Sequence, residues 1–348
     1  MNILGIETSC DETAAAVVKD GTSILASVVS SQVEIHHRYG GVVPELASRK
    51  HIEAIVPVVD EAMRKAGLPL TEIDAIAATQ GPGLVGALLV GFSFAKSLAY
   101  GLGIPWVGVN HLLGHINSVF LEDDPPAFPF VALLVSGGHT SIYHVTDHIT
   151  PQLMGQTRDD AAGEAFDKVA KVLDLGYPGG GIVDRLAKQG DPSRIKFPRS
   201  YLDKASFDFS FSGIKTAVNR YATNHRNQIK EHLPDIAAGF QEAVMEVLTH
   251  KAIRAAVEKG CNRLALVGGV AANSRLREML GTAAARKGMS LHVPSIQLCG
   301  DNAAMIAAVG FHYLEAGIEA DLGDDAYSKS KYNEGFRCHV SGNGSAER

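Results

Sequence analysis

Cysteine is scarce in this sequence, and its spacing excludes a disulfide framework or a zinc knuckle. The 348 residues include four cysteines, with no C-x-x-C pair among them: Cys10, Cys261, Cys299 and Cys338. Scattered cysteines of this kind are typical of a protein that remains in a reducing compartment. We therefore expect a cytoplasmic protein whose fold does not depend on disulfide bonds.

Long apolar segments and an excess of positive charge are also lacking. No uninterrupted apolar run reaches the roughly 18 residues that cross a bilayer. The strand-like run at residues 3–7 follows the first residues directly, without a basic leader. We expect neither export nor a membrane-spanning segment. The formal net charge of −6 excludes binding of nucleic acid by bulk electrostatics, although a local basic patch is compatible with it.

Glycine, in contrast, is plentiful. The sequence contains 36 glycines, many of them at predicted junctions between a strand and a helix, where exposed backbone N–H groups suit phosphate and nucleotide binding. Hydrophobic residues make up 46% of the chain and charged residues 20%, as in a globular protein. The length allows two halves of ordinary size.

The same order of predicted elements occurs twice along the chain. The first occurrence is a β-meander, then an amphipathic helix over residues 44–66, then alternating strands and helices. A proline-rich stretch at residues 124–129 marks a boundary, and a second meander begins beyond it. We predict a duplicated α/β protein whose two lobes, each a β-meander plus a βαβα unit, enclose a central cleft. The predicted parts are residues 1–127, residues 128–322 with a helical insertion, and a polar tail at residues 323–348.

A candidate metal site follows the short apolar run at residues 106–109. His111 and His115 are four residues apart, so a helix would place both imidazoles on one face with the spacing of metal ligands. The alternative is a pair of core histidines. Leu112 stands where a zinc peptidase of the H-E-x-x-H type has its catalytic glutamate, so a metal here would hold a ligand rather than activate water. Asp301, just ahead of a predicted helix, is either an N-cap or the third ligand.

Two glycine turns in the second half are candidates for a nucleotide site. Residues 134–140 contain Ser136, Gly137 and Gly138 between two predicted strands, where bare N–H groups can hold an anion or an oxyanion. Ser136 is not favoured as a nucleophile, because the G-x-S-x-G elbow is absent. Residues 267–273 join a buried strand to a helix through two glycines and end at Asn273, which lets an adenine or ribose ring approach the backbone.

Two carboxylates complete this candidate site. Asp167 either pairs with Lys171 one helical turn away or accepts ribose hydroxyls, and Asp184 with the glycines at residues 179–181 would close the other side. In the first half, the short turn at residues 8–13 is rich in hydrogen-bonding groups, and ordinary turn chemistry is the alternative there.

Four longer motifs, at residues 5–13, 40–49, 96–116 and 208–213, resemble those of the bacterial tRNA N6-adenosine threonylcarbamoyltransferases, a family once described as glycoproteases. The resemblance covers about residues 1–322 and shows no departure at a ligand position. It implies an actin- and Hsp70-like (ASKHA) fold with two RNase H-like lobes. It also implies transfer of the threonylcarbamoyl group from threonylcarbamoyl-AMP to N6 of adenosine 37 in tRNAs reading ANN codons.

The resemblance further implies ligands and partners. One divalent metal ion per subunit, iron(II) or alternatively zinc, would be held by His111, His115 and Asp301. The adenylate would be bound by Leu134, Val135, Ser136, Gly137, Gly138, Asp167, Gly180, Asp184 and Asn273. The expected protein partners are a paralogous TsaB-like subunit and a small TsaE-like ATPase, with the small-residue helix at residues 84–100 as a candidate pairing surface.

Proton removal and tRNA binding are assigned from chemistry. Asp11 or Glu12 would assist loss of the N6 proton. A basic strip is a candidate for phosphate contacts, with solvated surface as the alternative: Arg38, Arg49, Lys50, Lys196, Arg199, Lys204 and Lys215. Three other functions compete: a small-molecule kinase on the same fold, which would not require the histidine pair, a metallopeptidase, which would lack its glutamate, and a non-catalytic scaffold.

Overall fold

Two five-stranded sheets form the framework of the molecule, whose computed structural model describes residues 1–202 and 205–329. The first sheet has the order β3-β2-β1-β4-β5 and consists of β1 (Asn2–Glu7), β2 (Glu12–Lys19), β3 (Ser23–Ser31), β4 (Ala75–Gly81) and β5 (Trp106–Asn110). The second has the order β10-β9-β6-β7-β8 and consists of β6 (Phe130–Val135), β7 (Thr140–Val145), β8 (Gln152–Gln156), β9 (Arg263–Val267) and β10 (Ser290–His292).

The two sheets repeat one pairing scheme. In the first, β1, β2 and β3 are antiparallel neighbours, and β4 and β5 are added in parallel. In the second, β6, β7 and β8 correspond to the meander, and β9 and β10 are added in parallel. Parallel neighbours need a crossover connection, which helices supply in both sheets. The predicted duplication is therefore confirmed strand by strand.

The helices cover the sheets. Those of the first half are α1 (Val33–His37), α2 (Pro44–Ala66), α3 (Val85–Leu102) and α4 (His111–Asn117). The later ones are α5 (Ala162–Val172), α6 (Gly179–Ala187), α7 (Ser212–Asn224), α8 (Ile229–Glu258), α9 (Ser274–Ala285), α10 (Ile296–Cys299) and α11 (Ala303–Glu315). Helix α2 starts on a proline, which suits a first turn, and ends at Gly67 in the left-handed conformation. Its buried residues include Ala47, His51, Ile55, Val58 and Ala62, spaced as expected for one face of the predicted amphipathic helix.

The last helix packs on the first sheet, not on the second. Helix α11 lies against β1, β2 and β4, and a Cβ atom at Gly310 would stand 2.4 Å from the Cβ of Ala77. The chain thus passes from β10 of the second sheet to the helix layer of the first in the segment that contains Asp301. The lobe boundaries at residues 127 and 322 stay a prediction.

Two other predictions meet the structure only in part. Among the described helices, α3 is long and apolar enough to cross a membrane by length and composition, which qualifies the expectation of no such segment. A single helix of this kind is weak evidence, because core helices pass the same test, and α3 packs against α2 and β4. Of the predicted polar tail, residues 323–329 are described, whereas residues 330–348, with Cys338, lie outside the described residues.

Candidate metal and nucleotide site

Helix α4 carries the two candidate histidine ligands, and an asparagine cap fixes its start. β5 ends at Asn110, whose Oδ1 accepts the N–H groups of Leu112 at 2.9 Å and Leu113 at 3.2 Å. Helix α4 begins at the next residue, His111, so the imidazole of His115 lies one turn further along. The two rings meet edge to face, with 4.7 Å between their centroids.

Asp301 lies beside this histidine pair. Its Oδ1 is 3.2 Å from Nε2 of His115 and 3.7 Å from Nε2 of His111. The three potential ligand atoms all lie within 4.8 Å of one another. Asp301 is not the cap of the helix that follows, because Asn302 fills that role by accepting the N–H of Met305 at 3.0 Å. The carboxylate is therefore left to face the imidazoles.

The three residues fit a metal ion. His115 is fully buried, and within the described residues neither of its ring nitrogens makes a hydrogen bond of good geometry, although Nε2 lies 3.2 Å from Asp301. Buried polar atoms are rarely left in this state, because each costs about 1–3 kcal/mol. Two imidazole nitrogens and one carboxylate oxygen form a donor set that divalent iron and zinc accept. An ion bound to this set would satisfy the orphaned nitrogen of His115.

Glu7 is an additional member of the site that the sequence analysis did not select. It is completely buried at the end of β1, where its Oε2 accepts the Nδ1–H of His111 at 3.0 Å and the hydroxyl of Thr79 at 2.6 Å. Its Oε1 accepts the N–H of Ser9. Because Nδ1 donates to Glu7, Nε2 of His111 is the nitrogen that can bind a metal. Metal-binding histidines usually donate their other ring N–H to a carboxylate or carbonyl in this way. The sequence signal that could have identified Glu7 is an acidic residue at the end of an otherwise apolar strand.

Without a bound cation these groups hold one another in the ionised state, and a metal ion would displace the proton from Nε2 of His111. Burial lowers the pKa of His111, but the carboxylates of Glu7 and Asp301 outweigh it and raise that pKa to about 9. Burial raises the pKa of Glu7 and of Asp301, and in both cases the histidine charge reverses the shift and brings the pKa below its ordinary value. The carboxylate of Asp301 is thus available as a ligand.

The turn at residues 136–139 lies between the metal cluster and a cavity. Ser136 donates its N–H to the carbonyl of His139 at 2.8 Å, and its Oγ accepts the N–H of His139 at 3.1 Å. Burial and the positive charges of His111 and His115 lower the pKa of His139 to about 4, so this ring lies within electrostatic range of the cluster. Gly137, two residues earlier, lines the cavity.

The cavity has a volume of about 230 Å³. Five of the nine predicted adenylate-binding residues line it: Gly137, Asp167, Gly180, Asp184 and Asn273. Seven further lining residues are not among those nine: Gly163, Phe166, Pro178, Gly181, Gly269, Val270 and Ala272. Leu134 and Val135 belong to β6, where their side chains are buried in the core, and neither they nor Ser136 nor Gly138 line the cavity.

The polar residues of the cavity also anchor the helices around it. Oδ1 of Asp167 accepts the N–H of Gly179 at 2.7 Å, at the start of α6, and burial raises the pKa of this acid. Asp184 accepts the hydroxyl of Ser274 at 2.9 Å, at the start of α9. Asn273 caps α9 through the N–H of Leu276 at 3.0 Å. The walls of the cavity are therefore fixed by hydrogen bonds.

Of the predicted proton acceptors, Asp11 lies in the turn between β1 and β2, and Glu12 is the first residue of β2. Burial raises the pKa of both, and the negative charge of Asp301 raises it further. The pKa of Glu12 reaches about 8. Ser9, in the same turn as Asp11, has its Oγ 3.2 Å from Nδ1 of His111, so this turn borders the candidate metal site.

The predicted basic strip is partly neutralised. Lys50 pairs with Glu53 at 2.7 Å, Arg199 with Glu246 at 2.9 Å, and Lys215 reaches Asp160 at 3.7 Å. Lys204 lies outside the described residues. The role of this strip in phosphate binding stays a prediction.

Two duplicated lobes with a cavity bounded by glycine turns define the class of actin- and hexokinase-like (ASKHA) proteins. Solved structures agree at the level of the fold. HypF from T. kodakarensis superposes with a TM-score of 0.59 at 16% identity, covering 90% of this chain and 48% of HypF. The ROK hexokinase from Thermus thermophilus superposes with a TM-score of 0.50 at 15% identity, and the match covers 91% of this chain and 100% of the hexokinase chain.

The sequence comparisons show the family. The family model of tRNA N6-adenosine threonylcarbamoyltransferase (TsaD) matches residues 23–308. A relative from Desulforapulum autotrophicum, named tRNA N6-adenosine threonylcarbamoyltransferase, is 60% identical over 332 residues, which are 95% of this chain and 100% of that protein. The chain belongs to the tRNA N6-adenosine threonylcarbamoyltransferase family.

Proposed function

We propose that this chain transfers the threonylcarbamoyl group from threonylcarbamoyl-AMP to N6 of adenosine 37 in tRNAs reading ANN codons. The bond between N6 and the carbamoyl carbon forms, the mixed anhydride bond to phosphate breaks, and AMP and the N6 proton leave. The observation that carries the proposal is the turn at residues 136–139, which borders the cavity through Gly137 and the histidine cluster through His139. An adenylate in the cavity would direct its acyl end along this turn.

The chemistry requires orientation and polarisation, not a covalent intermediate. AMP is a good leaving group, whereas the N6 amine is a poor nucleophile because its lone pair is delocalised into the adenine ring. Fixed alignment of the two reactants is therefore valuable. The N–H groups of Gly137 and Gly138 would stabilise negative charge that develops on the carbamoyl oxygen. A divalent ion, iron(II) or zinc, held by His111, His115 and Asp301 would when bound polarise the threonylcarbamoyl end.

Asp11 or Glu12, in its ionised form, would accept the proton that leaves N6, and the raised pKa of each group makes it a stronger base once it is ionised. Asp11 lies in the turn after β1 and Glu12 begins β2, and β1 is the strand whose Glu7 contacts His111. The N6 amine must approach the threonylcarbamoyl group at the candidate metal site, so a carboxyl group beside this site could accept its proton. The adenylate would be held by Gly137, Asp167, Gly180, Asp184 and Asn273, which line the cavity. Residues 134–136 and Gly138, which do not line it, would contribute only through their backbone groups.

The alternatives have less support. A small-molecule kinase would use the cavity without the histidine cluster, and it leaves the convergence of His111, His115 and Asp301 unexplained. A peptidase would need a general base where Leu112 stands.

A TsaB-like subunit would pair with the first lobe, in the cytoplasm, and a TsaE-like ATPase would complete the assembly. Helices α2 and α3 pack side by side and expose apolar side chains to solvent. Ile52 and Val56 of α2 are 65% and 59% exposed, and Val85 and Leu89 of α3 are 51% and 42% exposed. Neighbouring exposed apolar residues are the usual sign of a protein interface.

The test of the function mixes the purified chain, both partner proteins, synthetic threonylcarbamoyl-AMP and an unmodified tRNA transcript. Mass spectrometry of the digested tRNA then measures the modified nucleoside. His111→Ala should abolish its formation while the circular dichroism spectrum stays unchanged, and His250→Ala, at an exposed position of α8, should leave the rate unchanged. Transfer by His111→Ala at the wild-type rate would refute the proposed site.

The test of the pairing surface uses a charge introduced into it. Val56→Asp should weaken association with the TsaB-like subunit by at least about tenfold, because a carboxylate buried in an apolar interface is unpaired. The matched control is Val257→Asp on α8, which is 55% exposed and lies on the other lobe. Equal association of both variants in analytical ultracentrifugation would place the interface elsewhere.

A further inference from the structure

The described end of the chain forms a strap, residues 320–328, that lies along the first sheet. Lys96 of α3 donates from Nζ to the carbonyl of Asp324 at 2.6 Å. The N–H of Tyr327 donates to the carbonyl of Gln80 at 3.0 Å, at the end of β4. The side-chain amide of Gln80 donates in turn to the carbonyl of Asp325 at 2.9 Å. A segment that reads as patternless polar sequence is thus held by two elements of the first lobe.

The strap brings the Tyr327 side chain against the turn after β4. A Cβ atom at Gly81 would stand 2.7 Å from the tyrosine ring and 2.1 Å from the carbonyl oxygen of the same residue, so only glycine allows this approach. At the far end of the ring, Oη accepts a hydrogen bond from Nδ2 of Asn110 at 3.0 Å.

Asn110 connects this contact to the candidate metal ligands. Its Oδ1 caps α4 through two backbone N–H groups, while its Nδ2 is directed to Tyr327. An amide group is planar, so fixing the nitrogen end also fixes the oxygen end. Helix α4 has only seven residues, and helices this short depend on their caps. Both imidazoles of the cluster project from it.

We propose that Tyr327 is a positioning residue for the metal site: its hydroxyl fixes the Asn110 amide and thereby the orientation of His111 and His115 relative to Asp301. The polypeptide chain also links Tyr327 to the third candidate ligand. Asp301 precedes α11, the strap follows α11, and the strap ends on the cap of the helix that bears the other two ligands. The inference rests on the metal site of the proposed function.

The test uses the full chain with cobalt(II) as the probe, because its visible absorption bands report ligand geometry. Tyr327→Phe keeps the ring against Gly81 and removes only the acceptor oxygen. We expect cobalt(II) to bind about three- to tenfold more weakly, the range for a weakened helix cap, with altered visible bands. The thermal midpoint of the metal-free protein should change little.

A second variant approaches the same contact from its other side. Asn110→Ser retains a capping oxygen but is too short to reach Tyr327. If the two side chains act as one unit, the double variant should bind cobalt(II) about as weakly as either single variant, because coupled changes are not additive. Tyr100→Phe, which removes a hydroxyl from a side chain that is 75% exposed on α3, should match the wild type.

The outcomes separate the two levels of the proposal. A wild-type chain that does not bind cobalt(II) would overturn the metal site itself, and the inference with it. A wild-type chain that binds, together with a Tyr327→Phe variant of unchanged affinity and spectrum, would overturn the positioning role alone. A lowered thermal midpoint of the metal-free variant with an unchanged spectrum would show a purely structural contact and overturn it as well.

Discussion

At the scale of single residues, the candidate site is built from groups that constrain one another. His111 offers one ring nitrogen to the cluster because the other is committed to Glu7. Glu7 is held in turn by the hydroxyl of Thr79 and the N–H of Ser9, so it cannot turn away. The order of the cluster therefore depends on a buried acid outside the candidate ligand set.

Replacing Glu7 by glutamine tests this dependence. The amide can still accept from Nδ1 of His111, but it has no negative charge, so the imidazole becomes a weaker electron donor and its orientation less fixed. We expect metal affinity to fall by about 10–100-fold, the range for loss of an outer partner of a histidine ligand. Isothermal titration calorimetry with zinc(II) on the metal-free protein measures it.

The control for this change is Glu258→Gln, which removes a carboxylate from the exposed end of α8. It should bind zinc(II) as the wild type does. Equal affinity of Glu7→Gln and wild type would mean that the buried carboxylate has no part in holding the metal.

At the scale of elements, local sequence patterns predicted the strands and helices, but they could not predict which elements pack against each other over long sequence distances. The buried face of α2 follows from one helical period, and β6 and β9 are the apolar strands that were predicted to precede the two glycine turns. That α11 packs on the first sheet depends on contacts between residues some 230 positions apart, such as Gly310 and Ala77, for which the helical period of α11 contains no signal.

The same distinction explains the site. His111 and His115 are visible in the sequence because their spacing is local, whereas the strap is not, because its hydrogen bonds are made by backbone groups that any residue carries. Tyr327 and Glu7 were missed for this reason: each acts through a partner on a distant element. Asp301 was selected on a resemblance together with its place before a helix.

Two glycine-to-alanine changes in helices should have opposite effects on stability. Gly310→Ala in α11 would force a methyl group to within 2.4 Å of Ala77, and overpacking of this kind costs about 1–3 kcal/mol. Gly281→Ala in α9 meets its nearest atom at 3.8 Å, an ordinary contact, so only helix propensity changes and the gain is about 0.5–1 kcal/mol. Urea unfolding of both variants measures the free energies. The same sign for both would show that α11 can shift away from the sheet.

At the scale of the whole molecule, a pair of histidines lies where the two lobes meet. His148, in the loop between β7 and β8, stacks on His312 of α11 with 3.6 Å between ring centroids and 9° between planes. Nδ1 of His148 donates to Oδ1 of Asn117 at 2.8 Å, at the end of α4. The second lobe, the helix layer of the first and the histidine helix of the candidate metal site are therefore joined at one point.

This joint makes stability depend on pH. Burial and the neighbouring His312 lower the pKa of His148 to about 4, with Asp147 opposing, and burial lowers the pKa of His312, with Glu315 opposing. Both rings are neutral in the folded protein, whereas unfolded histidine titrates near pH 6.5. Between about pH 6.5 and 4 the unfolded chain binds more protons, so the free energy of unfolding falls as the pH is lowered through this window.

Replacing His312 by phenylalanine should weaken this dependence. Phenylalanine retains a ring for the stack. The change removes the imidazole of His312, which must stay neutral in the folded protein, and with it the repulsion between His312 and a protonated His148. We expect the variant and the wild type to have similar stability at pH 7.5, and the variant to be more stable at pH 5 by on the order of 1 kcal/mol. Urea unfolding curves at the two pH values measure the difference. If the gap between variant and wild type is the same at both values, the histidine stack does not bear the proton linkage, and the acid sensitivity of the joint lies with other groups.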